Sequence, residues 1–365
     1  MIYHHKTSWK NTIAFSMLFD VRDFDVSKSQ IGLLHFAEHL MFIETKKLNE
    51  NKLRIKHELI FDVLDAYTSL DYLDITVVCS RSDFAEVCST LKEMLYSWKC
   101  NQKQFTEVKQ TIIEEIQYSN AQPINIALKA LKNPKFDSND DVIGTTRRIK
   151  ALKYTDLREI KKVWNKMINT SPRNLLIAGP KLTTAENKIL NDLFDTRSHS
   201  KPVENETLTP MTTKYLTQPT VKAIVINTNN SSPFFILLQR LYYIRHLHLN
   251  PDWEFSFTRD TNHLIYSVYN NDNTNLNQKT SENFLLAKPT KQEFTMVQDI
   301  ITKQISSLTD STDPQELIGW LDIFQIRNIP EFQGKNLLQI TKIYKNIDYP
   351  KFISHWETIF NDLNA

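Results

Sequence analysis

Ile13, Phe15, Met17, Phe19 and Val21 recur at every second position, and that period of two predicts a β-strand over residues 10–21. The stretch Gly32–Phe42 follows a different rule. Leu33, Leu34, Phe36, Ala37, Leu40 and Met41 are spread around the whole turn of a helix, which marks a segment buried on nearly all sides. His35, Glu38 and His39 interrupt that apolar run. A second strand is predicted over Leu73–Cys79, helices over about 82–98, 104–119 and 155–169, and a further strand over 174–178. From about Asp195 to Thr220 the chain turns polar, carries Pro202, Pro210 and Pro219 and loses apolar periodicity, so residues 196–220 read as a linker. Beyond it come a strand at Val221–Asn227, a helix at about 233–247, strands near 253–258 and 263–269, and helices near 291–308, 313–323 and 337–360. Strands and helices mixed in this way predict an α+β fold in two parts, 1–195 and 221–365, with helices against one face of a mainly antiparallel sheet.

Composition narrows the function classes. A length of 365 residues at 41% hydrophobic content supports two medium cores. Lys and Arg number 44 against 42 acidic residues, and no basic run interleaved with aromatics occurs, which argues against a nucleic-acid surface. Only five glycines are present, so no phosphate-cradling G-x-x-x-x-G-K loop exists. No apolar stretch approaches the length of a membrane span, and the first residues, Met1 to Lys6, lead into polar sequence with no signal-peptide core. Cys79, Cys88 and Cys100 form no C-x-x-C pair and leave an odd count, as expected for reduced thiols in a cytoplasmic protein. His4 and His5 read as a solvated pair near a terminus.

Chemistry concentrates in the apolar helix. His35 and His39 stack one turn apart and Glu38 sits beside them on the same side. Three ionisable groups are costly in an interior unless something compensates them. A metal ion would do so, since two imidazoles four residues apart can aim nitrogen lone pairs at one ion about 2.0–2.1 Å away. The carboxylate between them can then reach a bound water. The alternative is a pair of core histidines satisfied by backbone carbonyls. A third ligand is sought on the helix at 104–119, where Phe105, Val108, Ile112 and Ile116 form one stripe. Glu115 lies about 65° from the centre of that stripe and Glu114 about 165°, so Glu115 is the carboxylate carried inward. The alternative is a solvated acidic pair.

H-x-x-E-H at residues 35–39, with a glutamate 76 positions after the second histidine (115 − 39 = 76) in the context IIEEI, resembles the pitrilysin, insulin-degrading enzyme and mitochondrial processing peptidase family of inverzincin zinc peptidases. Asp65-Ala-Tyr-Thr-Ser69 is similar to the family's N-A-x-T strand, and Ile143-Gly-Thr145 with Ile149, Leu152 and Leu157 is similar to its G…I…L segment. Asn174-Leu-Leu-Ile-Ala-Gly179 looks like the strand that closes the family's first half. The resemblance spans roughly residues 10–180. It implies two structurally related halves, the second shortened, and one Zn²⁺ per chain held by His35, His39 and Glu115 with Glu38 as general base. It also implies a substrate peptide added as a β-strand beside Asp65, Ala66 and Tyr67, a mode that accepts extended peptides with limited sequence demand. Asp65 stands where the family has Asn, which removes one donor.

Peptide-cleaving members resemble one another in the second half too, with a pattern like R-E-x-x-G-L-x-Y that holds substrate carbonyls and the developing oxyanion. Here Tyr243-Ile-Arg-His-Leu-His-Leu-Asn-Pro-Asp-Trp253 offers Arg245 for the arginine, lacks the glycine, and puts Trp253, which has no hydroxyl, near the tyrosine's place. The alternative for Arg245 is a capping role on a helix that carries Leu238, Leu241 and Tyr242. By resemblance to the short-subunit branch, an intact metal half beside a degraded Arg/Tyr half implies the zinc-bearing member of a heterodimer whose homologous partner supplies Arg and Tyr. A homodimer is the rival. The implied activity is a zinc metalloendopeptidase cleaving extended peptides inside a two-subunit chamber, one version being removal of a leader from a ribosomally made natural product. A non-catalytic or peptide-binding scaffold of the same fold is the alternative.

Overall fold

The computed structural model describes residues 2–21, 32–68, 72–121, 145–194, 214–215, 221–227, 233–249, 254–260, 263–269, 287–308, 313–325, 331–332 and 334–360. They fall into two compact units. Met1–Ile116, Thr145–Pro202 and Thr309–Ile326 supply the first; Gln117–Gly144, Val203–Leu308 and Arg327–Ala365 supply the second.

The first unit contains strands β1 (Ile2–Lys6), β2 (Thr12–Asp20), β3 (Glu44–Thr45), β4 (Val63–Thr68), β5 (Tyr72–Ser80), β6 (Trp98–Lys99) and β7 (Arg173–Gly179). Five of them form one sheet in the order β1-β7-β2-β5-β4, and β3 pairs with β6. All pairings are antiparallel except β1 with β7, which is parallel and sets His4 opposite Ile177 and His5 opposite Ala178. His4 and His5 therefore lie in a paired strand, not in a solvated tail. On β2, Ile13, Phe15, Met17 and Phe19 enter the main core, as does Val21 just past its end, and Ala14, Ser16 and Leu18 on the opposite face are buried as well. The second face is covered by the helix Pro314–Gln325, which packs on β2, β5 and β7 and buries Leu317, Ile318, Leu321 and Phe324. The expectation of helices on a single face needs that correction. Its physical reason is visible in Leu175-Leu176-Ile177-Ala178, an unbroken apolar run of the kind a sheet covered on both sides requires.

On the first face lie helices α1 (Leu33–Met41), α3 (Phe84–Ser97), α4 (Gln102–Ala121) and Leu157–Thr170, while α2 (Glu50–Ile60) precedes β4. The helix Leu157–Thr170 is amphipathic: Asp156 caps it by accepting from the Glu159 amide, and Ile160, Val163, Trp164, Met167 and Ile168 are buried. Trp164 donates its indole N–H to the carbonyl of Leu95 at 2.8 Å, tying this helix to α3. α1 lies against it and against β4. Phe36 of α1 stacks on Phe105 of α4 with ring centroids 5.1 Å apart, a contact worth about 1 kcal/mol beyond the area it buries.

The second unit has a four-stranded antiparallel sheet of β8 (Lys214–Tyr215), β9 (Val221–Asn227), β10 (Glu254–Asp260) and β11 (His263–Tyr269), in the order β10-β11-β9-β8. β8 lies inside the stretch read as a linker; residues 195–213 and 216–220 of that stretch are outside the described residues. The helices are Pro233–Leu249, Lys291–Ser307, Leu337–Lys345 and Tyr349–Phe360. The last two were expected as one helix over 337–360. The break comes where Asp348 caps a new helix by accepting from the Lys351 amide, and Pro350 cannot supply the N–H that a continuous helix needs. Among the described residues no helix is long and apolar enough to cross a membrane.

Arg245 has a structural partner here. Its Nε and Nη2 donate to the two carboxylate oxygens of Glu293 at 2.7 and 3.0 Å, and Nη1 donates to the Ala287 carbonyl at 2.7 Å. Only 2% of Arg245 is exposed. Burial works against ionisation of Glu293, but bonds from Arg245 and from the Thr290 cap outweigh it and hold the carboxyl below its usual range. Arg245→Ala strands that carboxylate and is expected to lower unfolding free energy by roughly 3 kcal/mol in urea titrations; a loss under about 0.5 kcal/mol would contradict the pairing.

Arg81, just past β5, donates Nε and Nη2 to Glu186 at 2.7 and 2.8 Å, while Glu186 completes a capping box with Thr183. Arg81 is the main reason that the Glu186 carboxyl sits at about 2, with the Thr183 bonds adding to it against the cost of burial. The stabilisation is complete above the ordinary value of 4.5 and is lost as pH falls through about 2. Arg81→Met should flatten the decline in stability between those two pH values, read as urea midpoint against pH; an unaltered slope speaks against this linkage.

Candidate metal centre

α1 begins at Gly32, whose φ of 83° lies in the left-handed region that a glycine enters without strain. Its apolar side chains Leu33, Leu34, Phe36, Ala37, Leu40 and Met41 are fully buried, so the roll of the helix is fixed. That roll leaves His35 and His39 part-exposed, with 33% and 27% of their side chains accessible, and turns Glu38 inward to 6% exposure. α4 is fixed in the same way by Phe105, Val108, Ile112 and Ile113. Glu115 follows at the edge of that stripe with 45% of its side chain accessible, and Glu114, also exposed, accepts from Gln110 at 2.7 Å.

The two helices bring three donors together. His35 Nε2 and His39 Nε2 are 3.1 Å apart, and Glu115 Oε2 lies 3.8 Å from the first and 3.5 Å from the second. Among the described residues this is the group of His, Cys, Asp and Glu side chains that could hold a metal ion. Ligands about 2.0–2.1 Å from a tetrahedral ion stand about 3.3–3.4 Å from one another, a spacing that the three measured distances bracket. The donor set thus fits a divalent cation such as Zn²⁺. Burial lowers the His39 pKa and Glu115 opposes the shift. The net lowering favours the neutral imidazole, the form that carries a lone pair for a metal.

Glu38 occupies the junction of α1 and β4. Its carboxyl is pushed up to about 7, first by burial; the Thr68 hydroxyl and amide pull it back, and Asp65 and Glu115 add to the rise. The Thr68 hydroxyl donates to Glu38 Oε2. A carboxyl poised near neutrality suits a general base. Thr68 received no role from the sequence reading, although it is the Thr of the N-A-x-T-like segment; its contact with α1, 30 residues away, is tertiary. Cys79, Cys88 and Cys100 are free, and burial raises all three thiols, Cys79 and Cys88 to about 12, so they behave as core residues.

Asp65, Ala66 and Tyr67 lie in β4, the edge strand of its sheet, next to α1. Ala66 packs on the core, Asp65 is exposed, and Tyr67 is 68% exposed. Arg245 belongs to the second unit, with its guanidinium engaged by Glu293 and Ala287. A guanidinium this buried needs acceptors, and in this structure they come from its own unit. Trp253, Ser69, Ile143 and Gly144 lie outside the described residues.

Comparison with known proteins finds similarity over these elements. The family model described as Insulinase (Peptidase family M16) matches residues 17–143. Over 108 residues, 30% of its length, the chain is 26% identical to the mitochondrial ubiquinol-cytochrome-c reductase complex core protein I of Euglena gracilis, and the match spans 22% of that relative. Three solved structures share the fold at low identity. A protease from Helicobacter pylori aligns with a TM-score of 0.71 at 13% identity, covering 99% of this chain and 94% of that one. A protein from Alicyclobacillus acidocaldarius described as M16-like gives 0.69 at 15%, covering 98% and 92%. A peptidase M16 inactive domain from Pseudomonas fluorescens gives 0.73 at 8%, covering 99% and 92%. The matched segment opens in β2 and runs past α4, so the similarity to the insulinase family of peptidases covers about a third of the chain and includes the elements that carry His35, Glu38, His39 and Glu115.

Proposed function

We propose that this chain is the catalytic subunit of a zinc metalloendopeptidase acting on extended peptides. The observation that carries the reading is the convergence of His35 Nε2, His39 Nε2 and Glu115 Oε2 beside the buried carboxyl of Glu38. His35, His39 and Glu115 would hold the ion, which when bound supplies a Lewis acid and lowers the pKa of water. Three protein ligands suit a catalytic centre more than a structural one. Glu38 accepts a proton from the attacking water at its carboxylate and passes it to the leaving nitrogen of the cleaved peptide bond. Substrate is held by the open edge of β4, where main-chain groups near Asp65, Ala66 and Tyr67 pair with an added strand. Asp65 accepts hydrogen bonds only, so this stretch anchors substrate chiefly through its backbone.

Because Arg245 is engaged by Glu293, oxyanion stabilisation has to come from elsewhere. A homologous second subunit supplying Arg and Tyr fits that need, with a homodimer as the rival, and a leader peptide of a ribosomally made product is one substrate such a chamber would take. Free thiols and near-neutral charge fit a cytoplasmic setting. The second reading is a scaffold or peptide-binding subunit, which the name of the complex-bound relative and the inactive M16 domain keep alive. Against it stands the set His35, Glu38, His39 and Glu115, which a scaffold does not need.

Glu38→Gln is expected to keep stoichiometric zinc and lose about 10²–10⁴-fold in kcat, whereas His39→Ala should lose the metal. Zinc analysis and peptide cleavage, each with and without the homologous subunit, give the readout. Zinc binding in the parent chain with no cleavage in any assembly would favour the peptide-binding scaffold. No bound zinc would remove both forms of the metal reading.

A further inference from the structure

We infer that Thr68 is a positioning residue that aims the Glu38 carboxylate, and that it does so from the end of the strand that receives the substrate. The inference rests on the peptidase reading and deepens it. Thr68 is the last residue of β4, and by the alternation of the strand it shares a face with Leu64 and Ala66, both packed on the core beneath α1. From there its hydroxyl donates to Oε2 of Glu38. That bond restrains the carboxylate plane, whose terminal torsion is otherwise broad. Threonine is suited to the task because its branched Cβ stiffens χ1, so the hydroxyl does not wander.

A donor held on Oε2 leaves Oε1 as the oxygen better placed to take a proton from water. Among the described residues β4 is paired on one side only, through the register that sets Thr68 opposite Leu73 of β5. A substrate strand laid on the open side would brace the same segment that orients the base. Docking and base alignment then become one mechanical event. Removing the hydroxyl takes a donor from a carboxyl at 6% exposure, so some loss of stability accompanies the change. The consequence of losing it falls on the geometry of proton transfer, where small misplacements are costly.

The test compares Thr68→Val, which keeps the shape and loses the hydroxyl, with Thr68→Ser, which restores a hydroxyl. Both are made in the zinc-loaded assembled protein and assayed with internally quenched peptides. Thr68→Val is expected to lower kcat by about 10–100-fold with KM within about twofold, and Thr68→Ser to recover most of the loss. Zinc content should match the parent. A second readout needs no turnover: crystal structures of the variants should show the Glu38 carboxylate in more than one orientation in Thr68→Val and in a single one in Thr68→Ser. An unchanged kcat in Thr68→Val overturns the inference, as does a serine variant as impaired as the valine variant. A Glu38 carboxylate that holds one orientation without the hydroxyl overturns it too. Failure of the peptidase reading looks different, as an absence of any cleavage that Glu38→Gln abolishes, and the carboxylate orientation still decides Thr68 in that case.

Discussion

Leu33, Leu34, Phe36, Ala37, Leu40 and Met41 are each buried to 0% exposure, and this sets what α1 can do. Rolling the helix to hide His35 and His39 would bring some of these side chains to water, at roughly 1.5–3 kcal/mol for each large one. The histidines therefore stay at the one side left open. The distance to α4 is set separately, by Phe36 stacked on Phe105 and by Ile112 at 0% exposure in the same core. Glu115 lies ten residues beyond Phe105, about 15 Å along the helix axis. A carboxylate and two imidazoles meet because hydrophobic packing has fixed the roll of one helix and the approach of the other. The polar groups themselves contribute little to that placement, since all three remain part-exposed.

Glu38 is the exception, and its cost is local. A carboxyl at 6% exposure is held by a single residue of an edge strand while Asp65 and Glu115 raise its pKa further. That arrangement is poor for stability and suited to proton exchange at neutral pH. The sheet around it is built to tolerate the cost. Its central strands are covered on both faces, by the α1 and α3 side and by the helix Pro314–Gln325, so a rigid frame stands behind the strand end that carries Thr68.

What the sequence discloses follows physical range. The α1 helix, strand β2 and the helix Leu157–Thr170 were legible because apolar periodicity is local and strong in each. The choice of Glu115 over Glu114 followed from 3.6-residue geometry on one helix, and the structure sets Glu115 beside the histidines while Glu114 pairs with Gln110. Thr68 was not legible as a partner of Glu38, because the two are on different elements brought together by tertiary packing. The second covered face of the sheet was hidden for a similar reason: the helix Pro314–Gln325 comes from far along the chain, and helical periodicity does not name the sheet a helix will cover. The break before Pro350 has a local cause, the proline's missing N–H, which the reading of one helix over 337–360 did not use.

Arg245 shows how far a motif match carries when long-range partners are unknown. Its position fits the arginine of the family pattern, yet Glu293 and the Ala287 carbonyl take up its donors in a nearly dry setting. For this guanidinium to reach a substrate it would have to abandon a bidentate pair and leave Glu293 behind, at a cost of several kcal/mol. Oxyanion donors are effective because they stand ready before charge develops, so a donor that must first be extracted loses that advantage. On the peptidase reading proposed above, a donor from a second polypeptide, already oriented on its own frame, would serve better than rearrangement of this buried pair.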